Sequence, residues 1–146
     1  MRTIRQIIIH CTATPEGSSL SVKALRAEHL RRGFSDIGYH YYVRRDGTVI
    51  NTRSVARIGA HAKGHNKYSI GVAYEGGLDA SGNPADTRTP LQRTALRKLV
   101  ADLLNRYHDT YVCGHRDLSP DLNGNGEIEP EEWIKQCPCF DVKSNL

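Results

Sequence analysis

The stretch Gln6-Ile7-Ile8-Ile9-His10-Cys11 sets the architecture. A short apolar run rich in β-branched residues suits a strand buried on both faces of a sheet. It ends on a histidine and a cysteine. Working outward, Thr12 to Ser19 holds Pro15 and Gly17 and reads as a loop. Ser21 caps a helix running to Gly33, with Val22, Leu25, His29 and Leu30 on one face. Tyr39–Arg45 and Thr48–Arg53 flank Asp46-Gly47, a strong hairpin signal. The segment from Ser54 to Tyr68 is irregular, and Ile70–Tyr74 is a second buried strand. A polar loop from Asp79 to Thr87 follows. Thr89-Pro90 then opens the clearest helix, with Leu91, Ala95, Leu96, Leu99, Val100, Leu103, Leu104 and Tyr107 at helical spacing. Tyr111-Val112-Cys113 is a short strand leading to Gly114-His115, and Pro130–Gln136 is expected to form a short helix carrying Trp133 and Lys135. Strands and helices alternate, and a hairpin interrupts them. The expected fold is therefore α/β: a single domain over residues 1–146 with a mixed central β-sheet flanked by helices.

The chain has 146 residues, which suits one domain. Mean hydropathy is −0.52, and no apolar run approaches the roughly 20 residues of a membrane span, so no membrane insertion is expected. The basic start Met1-Arg2-Thr3-Ile4-Arg5 resembles a signal peptide, but the apolar stretch after it is far too short and has no small-residue cleavage site. The expectation is a chain made in the cytoplasm, or a mature form whose signal has been removed. The net charge of +4 implies a mild attraction to polyanions. There is no dense Lys/Arg stripe, so no nucleic-acid partner is expected. A monomer is expected.

His10 closes the first strand and His115 follows the last, and strand ends of an α/β sheet are favoured places for a site. Cys137 lies beyond the terminal helix. Two histidines and one cysteine would leave a fourth zinc position open, the arrangement of a catalytic site. By spacing alone, seven histidines and four cysteines scattered through loops and core describe the chain as well. Cys11 and Cys113 read as buried thiols. Cys139 competes with Cys137 for the metal.

Six segments occur in order: Ile8-Ile9-His10-Cys11-Thr12-Ala13-Thr14, Ile37-Gly38-Tyr39-His40, Arg45-Asp46-Gly47-Thr48-Val49, His61-Ala62-Lys63-Gly64, Ser69-Ile70-Gly71-Val72 and Cys137-Pro138-Cys139-Phe140-Asp141. Together they resemble the zinc-dependent N-acetylmuramoyl-L-alanine amidases, in particular the phage lysozyme branch, with the animal peptidoglycan recognition proteins as a related branch. The likeness runs from about Ile7 to Asp141. It implies zinc on His10, His115 and Cys137, with Tyr39 and Lys135 in the positions of the phage enzymes' catalytic tyrosine and lysine. The Cys-Pro-x-Phe-Asp context favours Cys137 over Cys139. Non-catalytic recognition proteins typically lack the cysteine ligand, so its presence favours an enzyme.

Many bacterial members carry a glutamate where this chain has Ala73, which has no acid or base to offer. Glu75, two residues on, is a weaker substitute. The implied chemistry is amide hydrolysis in peptidoglycan. Lys135 would stabilise the developing oxyanion and Tyr39 would orient water or donate a hydrogen bond. His61 is expected to contact substrate, whereas His29 and His40 are expected to point elsewhere. The implied setting is a phage or prophage lytic amidase, made without a signal peptide and released to the cell wall by a partner pore. A non-catalytic wall-binding module and a cytoplasmic amidase recycling free muropeptides stand as alternatives.

Asp121 to Glu132 fits the EF-hand loop pattern at every defined position. Asp121, Asn123 and Asn125 would offer side-chain oxygens, Glu127 its carbonyl, Glu129 an oxygen directly or through water, and Glu132 both carboxylate oxygens. Gly126 supplies the turn. Calcium is the expected ion, and its role would be to stiffen the insertion that delivers Lys135 and Cys137. A calcium-responsive interaction protein is a third alternative.

Overall fold

A computed structural model describes residues 2–146. The strands are β1 (Gln6–Cys11), β2 (Thr14–Pro15), β3 (Tyr41–Val43), β4 (Val49–Asn51), β5 (Ser69–Tyr74), β6 (Gly77–Leu78) and β7 (Tyr111–Gly114). The helices are α1 (Val22–Arg31), α2 (Pro90–Arg106) and α3 (Val142–Asn145). The main sheet has five strands in the order β4-β3-β5-β1-β7, and only the β3–β4 pair is antiparallel. It is the mixed sheet expected from the sequence.

β1 lies between β5 and β7, which explains its composition: Ile7, Ile8 and Ile9 are each 0% exposed. Strand alternation sends Ile7, Ile9 and Cys11 to one face, where they pack with Ile70, Val72 and Tyr74 against Leu96, Val100 and Leu103 of α2. Ile8 faces the other way, toward Ala62 and Cys113, and His10 shares its side. On that same side Leu25 of α1 packs with Ile37 and Tyr42.

Both long helices start where their caps are written. The Ser21 hydroxyl accepts from the Ala24 N–H. Thr89 and Gln92 form a reciprocal capping box with Pro90 in the first turn. At Asp46-Gly47 the chain reverses with Gly47 at φ 86°, and the Asp46 carboxylate accepts from the Thr48 N–H. The hairpin strands are only three residues each, shorter than the alternation suggests.

Two expectations need correction. The segment Thr12–Ser19 is not all loop, because β2 pairs in parallel with β6 in a separate two-stranded sheet. The helix expected over Pro130–Gln136 is a single 3₁₀ turn, Pro130–Glu132. Trp133 leaves helical geometry at φ −67° and ψ 122°, and its ring lies 3.8 Å beneath the Arg116 guanidinium. So short a helix has little intrinsic stability, and the packing of Trp133 decides against it. Lys135 therefore sits on extended, exposed chain.

Candidate metal centre

The register of the sheet assembles the first two site residues. Ile9 pairs with Gly114, so the next residues, His10 and His115, emerge side by side with ring centroids 4.6 Å apart. Cys137 arrives from the C-terminal segment. The ligand atoms of His10, His115 and Cys137 lie within 4.8 Å of one another, and no other such group of His, Cys, Asp or Glu is found among the described residues.

Local contacts hold Cys137 there. Its carbonyl accepts from the Arg116 N–H at 2.8 Å, and the Tyr74 hydroxyl donates to the Pro138 carbonyl at 2.6 Å. The Cys11 N–H points at the Cys137 sulfur from 3.2 Å. Cys139, at φ 70°, turns away: its sulfur donates to the Gly77 carbonyl at 3.3 Å and lies 4.0 Å from the Cys11 sulfur. All four cysteines are free, with Cys11 and Cys113 buried.

The electrostatics suit a cation. Burial, then the neighbouring His61, His115 and Lys135, hold His10 well below the ordinary histidine range. His115 is lowered to about 4, by burial and then by Lys135. Both imidazoles are thus neutral at neutral pH, the form that binds a metal. Two imidazoles and a thiol are the donor types that zinc takes in a three-ligand site with an open fourth position.

Tyr39 sits close by, its ring centroid 5.2 Å from that of His10. Burial, then the nearby Cys137 and Cys11 sulfurs, push its phenol far above the ordinary range, so it is a neutral hydroxyl. Lys135, His115, His61, Lys63, Arg32 and Phe34 are among the residues lining a cleft of about 710 Å³. His61 does more than line the cleft: its Nδ1 is 2.8 Å from the His10 Nε2, a contact that strand and helix patterns do not reveal.

The remaining candidates offer the cluster no free group. Ala73 pairs with His10 in register and is fully buried. Glu75 is 2% exposed and spends its oxygens on Arg44 at 2.8 Å and on the Leu20 and Arg45 N–H groups. Burial opposes its ionisation, but those hydrogen bonds outweigh it and hold the carboxyl below its usual range. His29 accepts from the Gly38 N–H, and His40 bridges the Gly71 N–H and the Arg57 carbonyl. All three are structural.

In the insertion, the Asp121 carboxylate accepts from the Gly124 and Gly126 N–H groups, and the Asn125 carbonyl oxygen of the side chain accepts from the Glu127 N–H. The side-chain amides of Asn123 and Asn125 donate to Glu129. Glu132 folds back over the loop, accepting from the N–H groups of Leu122, Asn123 and Glu129.

Comparison with known proteins agrees with this geometry. Residues 1–138 match the N-acetylmuramoyl-L-alanine amidase family. The chain is 39% identical over 138 residues to the endolysin of Klebsiella phage KP32, covering 94% of this chain and 82% of that one. Among solved structures it is similar to the N-acetylmuramoyl-L-alanine amidase LysC from Clostridium intestinale URNW, with a TM-score of 0.74 at 28% identity, over 96% of this chain and 79% of that one. It shares its fold with bumblebee PGRP-SA, with a TM-score of 0.73 at 23% identity, over 97% and 78% of the two chains. A sheet that sets two neutral histidines beside a cysteine, in a chain matched along nearly its whole length, places this protein in the N-acetylmuramoyl-L-alanine amidase family.

Proposed function

We propose that this amidase is a zinc-dependent lytic enzyme that works as a monomer on cell-wall peptidoglycan after release from the cell that makes it. The reaction of the family is hydrolysis of the amide between N-acetylmuramoyl and L-alanine. The observation that carries the zinc reading is the convergence of His10, His115 and Cys137 to within 4.8 Å beside the cleft. When bound there, zinc would polarise the scissile carbonyl and acidify a water at neutral pH.

The protein's own groups supply the rest. Lys135 lines the same cleft as His115. Its ammonium is placed to offset the negative charge that develops on the lactyl oxygen. Tyr39 stays protonated and offers a hydrogen-bond donor beside His10. Ala73 brings no acid or base to the strand beside His10, which leaves Tyr39 and Lys135 as the groups for that work. Arg32, Lys63 and Lys135 make the cleft cationic, a match for the carboxylates of a stem peptide, and His61 lends the cleft wall a polar edge.

Metal analysis tests this reading. Zinc near one equivalent per chain, lost in Cys137→Ala and retained in Cys139→Ala, is expected. Full lytic activity after exhaustive chelation would contradict it.

We infer a second ion from the sequence pattern of the insertion. The spacing of Asp121, Asn123, Asn125, Glu127, Glu129 and Glu132 is that of a calcium loop, and calcium would stiffen the insertion. Calcium should raise the melting temperature, and Asp121→Ala with Glu132→Ala should abolish the rise. A melt unchanged by calcium or chelator contradicts it.

A further inference from the structure

We propose that His61 is a positioning residue for the metal centre: it holds the Nε2 side of His10 and so turns the His10 Nδ1 lone pair toward the metal. The inference rests on zinc being the ion at this site.

The contact is short and continues beyond the pair. The His10 Nε2 and His61 Nδ1 are 2.8 Å apart, and the other His61 nitrogen, Nε2, is 3.3 Å from the Ser69 hydroxyl. Two neutral imidazoles and a hydroxyl in line have two hydrogen-bonding directions. In one, His10 Nε2–H donates to His61 Nδ1, and His61 Nε2–H donates to Ser69. This leaves His10 Nδ1 unprotonated and able to bind a metal. In the other, Ser69 donates to His61, and His61 Nδ1–H donates to His10 Nε2. The neutral His10 then carries its proton on Nδ1, with no free lone pair. Only the first is compatible with a metal on Nδ1. A metal ligand whose second nitrogen donates to a fixed acceptor is the usual way such a tautomer is held.

The fold builds a slot for this ring. A Cβ on Gly71 would lie 2.5 Å from the His61 Cγ, and one on Gly59 would lie 2.7 Å from its Cδ2. Both positions must stay bare for the imidazole to lie against β5. The backbone beneath is fixed as well. The His61 and Ala62 N–H groups both donate to the Asn66 side chain, at 3.0 and 2.9 Å, and the Gly71 N–H donates to His40 at 3.0 Å. A residue that only met substrate would not need a second histidine, a buried serine and two bare glycines to orient it.

Nitrogen-15 NMR of zinc-loaded protein labelled at histidine reads the claim in the wild type. His10 is expected to carry zinc on Nδ1 and a proton on Nε2. Zinc on Nε2 overturns the proposal while leaving the zinc reading intact, whereas a protein that binds no zinc removes the zinc reading itself. Competition with a chromophoric chelator gives a second readout. His61→Ala should weaken zinc binding by about 10- to 100-fold. His61→Asn, which can return an acceptor near Nδ1, should recover most of that loss, and Ser69→Ala should weaken binding by less than His61→Ala. Zinc affinity unchanged in a folded His61→Ala protein overturns the assignment.

Discussion

The two sides of the metal centre are built differently. His10 and His115 stand on the ends of neighbouring strands in a sheet whose central residues Ile7, Ile8 and Ile9 are 0% exposed. Cys137 and Lys135 come from a C-terminal segment with little regular structure, whose Leu122 and Ile134 are 72% and 73% exposed. On the sheet side, position follows from register and packing, and the buried apolar core around β1 resists any shift. On the segment side, position depends on a few hydrogen bonds: Arg116 N–H to the Cys137 carbonyl, Tyr74 to the Pro138 carbonyl, and Ile134 N–H to Ser119. Damage to the sheet side should therefore appear as lost stability. Damage to the segment side should appear as lost activity in a protein that still melts normally.

The largest effect falls where the segment meets the metal. Cys137→Ala should lower amidase activity by at least about a thousandfold, because it removes several kcal/mol of transition-state stabilisation, with only a modest change in melting temperature. Activity within tenfold of wild type would break the comparison. Lys135→Ala should cost about 10²- to 10³-fold in kcat if it stabilises the oxyanion. The exposed position of Lys135 leaves stability unaffected, and kinetics alongside a thermal melt separate the two readouts.

On the sheet side the expectation reverses. Ile9→Ala leaves a cavity between β1 and α2 and should cost about 2–5 kcal/mol in denaturant unfolding, while kcat at a temperature well below the melt changes little. The smallest effect is a slope. Burial holds His40 at about 4 in the folded chain, against an ordinary 6.5. Above pH 6.5 it is neutral folded and unfolded. As pH falls from 6.5 toward 4, only the unfolded chain takes up the proton, so stability falls, by up to about 1.4 kcal/mol per pH unit from this residue. His40→Gln should flatten that part of the stability profile, and an unchanged slope would show that His40 does not contribute.

The same division explains what could be read in the chain. Ile7–Ile9, Asp46-Gly47 and Thr89-Pro90 are local signals, and each produced the element it implies. The pairing of Ile9 with Gly114 is not local, so composition places His10 and His115 at strand ends but not beside each other. Preference for Cys137 over Cys139 came from resemblance. The physical reason lies in the backbone: the turn at Cys139 sends its sulfur to the Gly77 carbonyl. The helix expected over Pro130–Gln136 failed because Trp133 packs under Arg116, a tertiary contact that no helical pattern reveals. His61 is legible as a candidate for substrate contact, but its contact with His10 is not, for a similar reason. Its signal was the bareness of Gly59 and Gly71, which has meaning only once the ring is known to lie against them.

The central claim is that these residues cut one bond. The direct measurement is mass spectrometry of purified peptidoglycan digested by zinc-loaded wild type and by Cys137→Ala. New L-alanine amino termini, matched by free lactyl carboxyls on muramic acid and absent with the variant, are the expected result. Fragments cleaved between sugars or within the stem peptide, with the muramoyl-alanine amide intact, would contradict it.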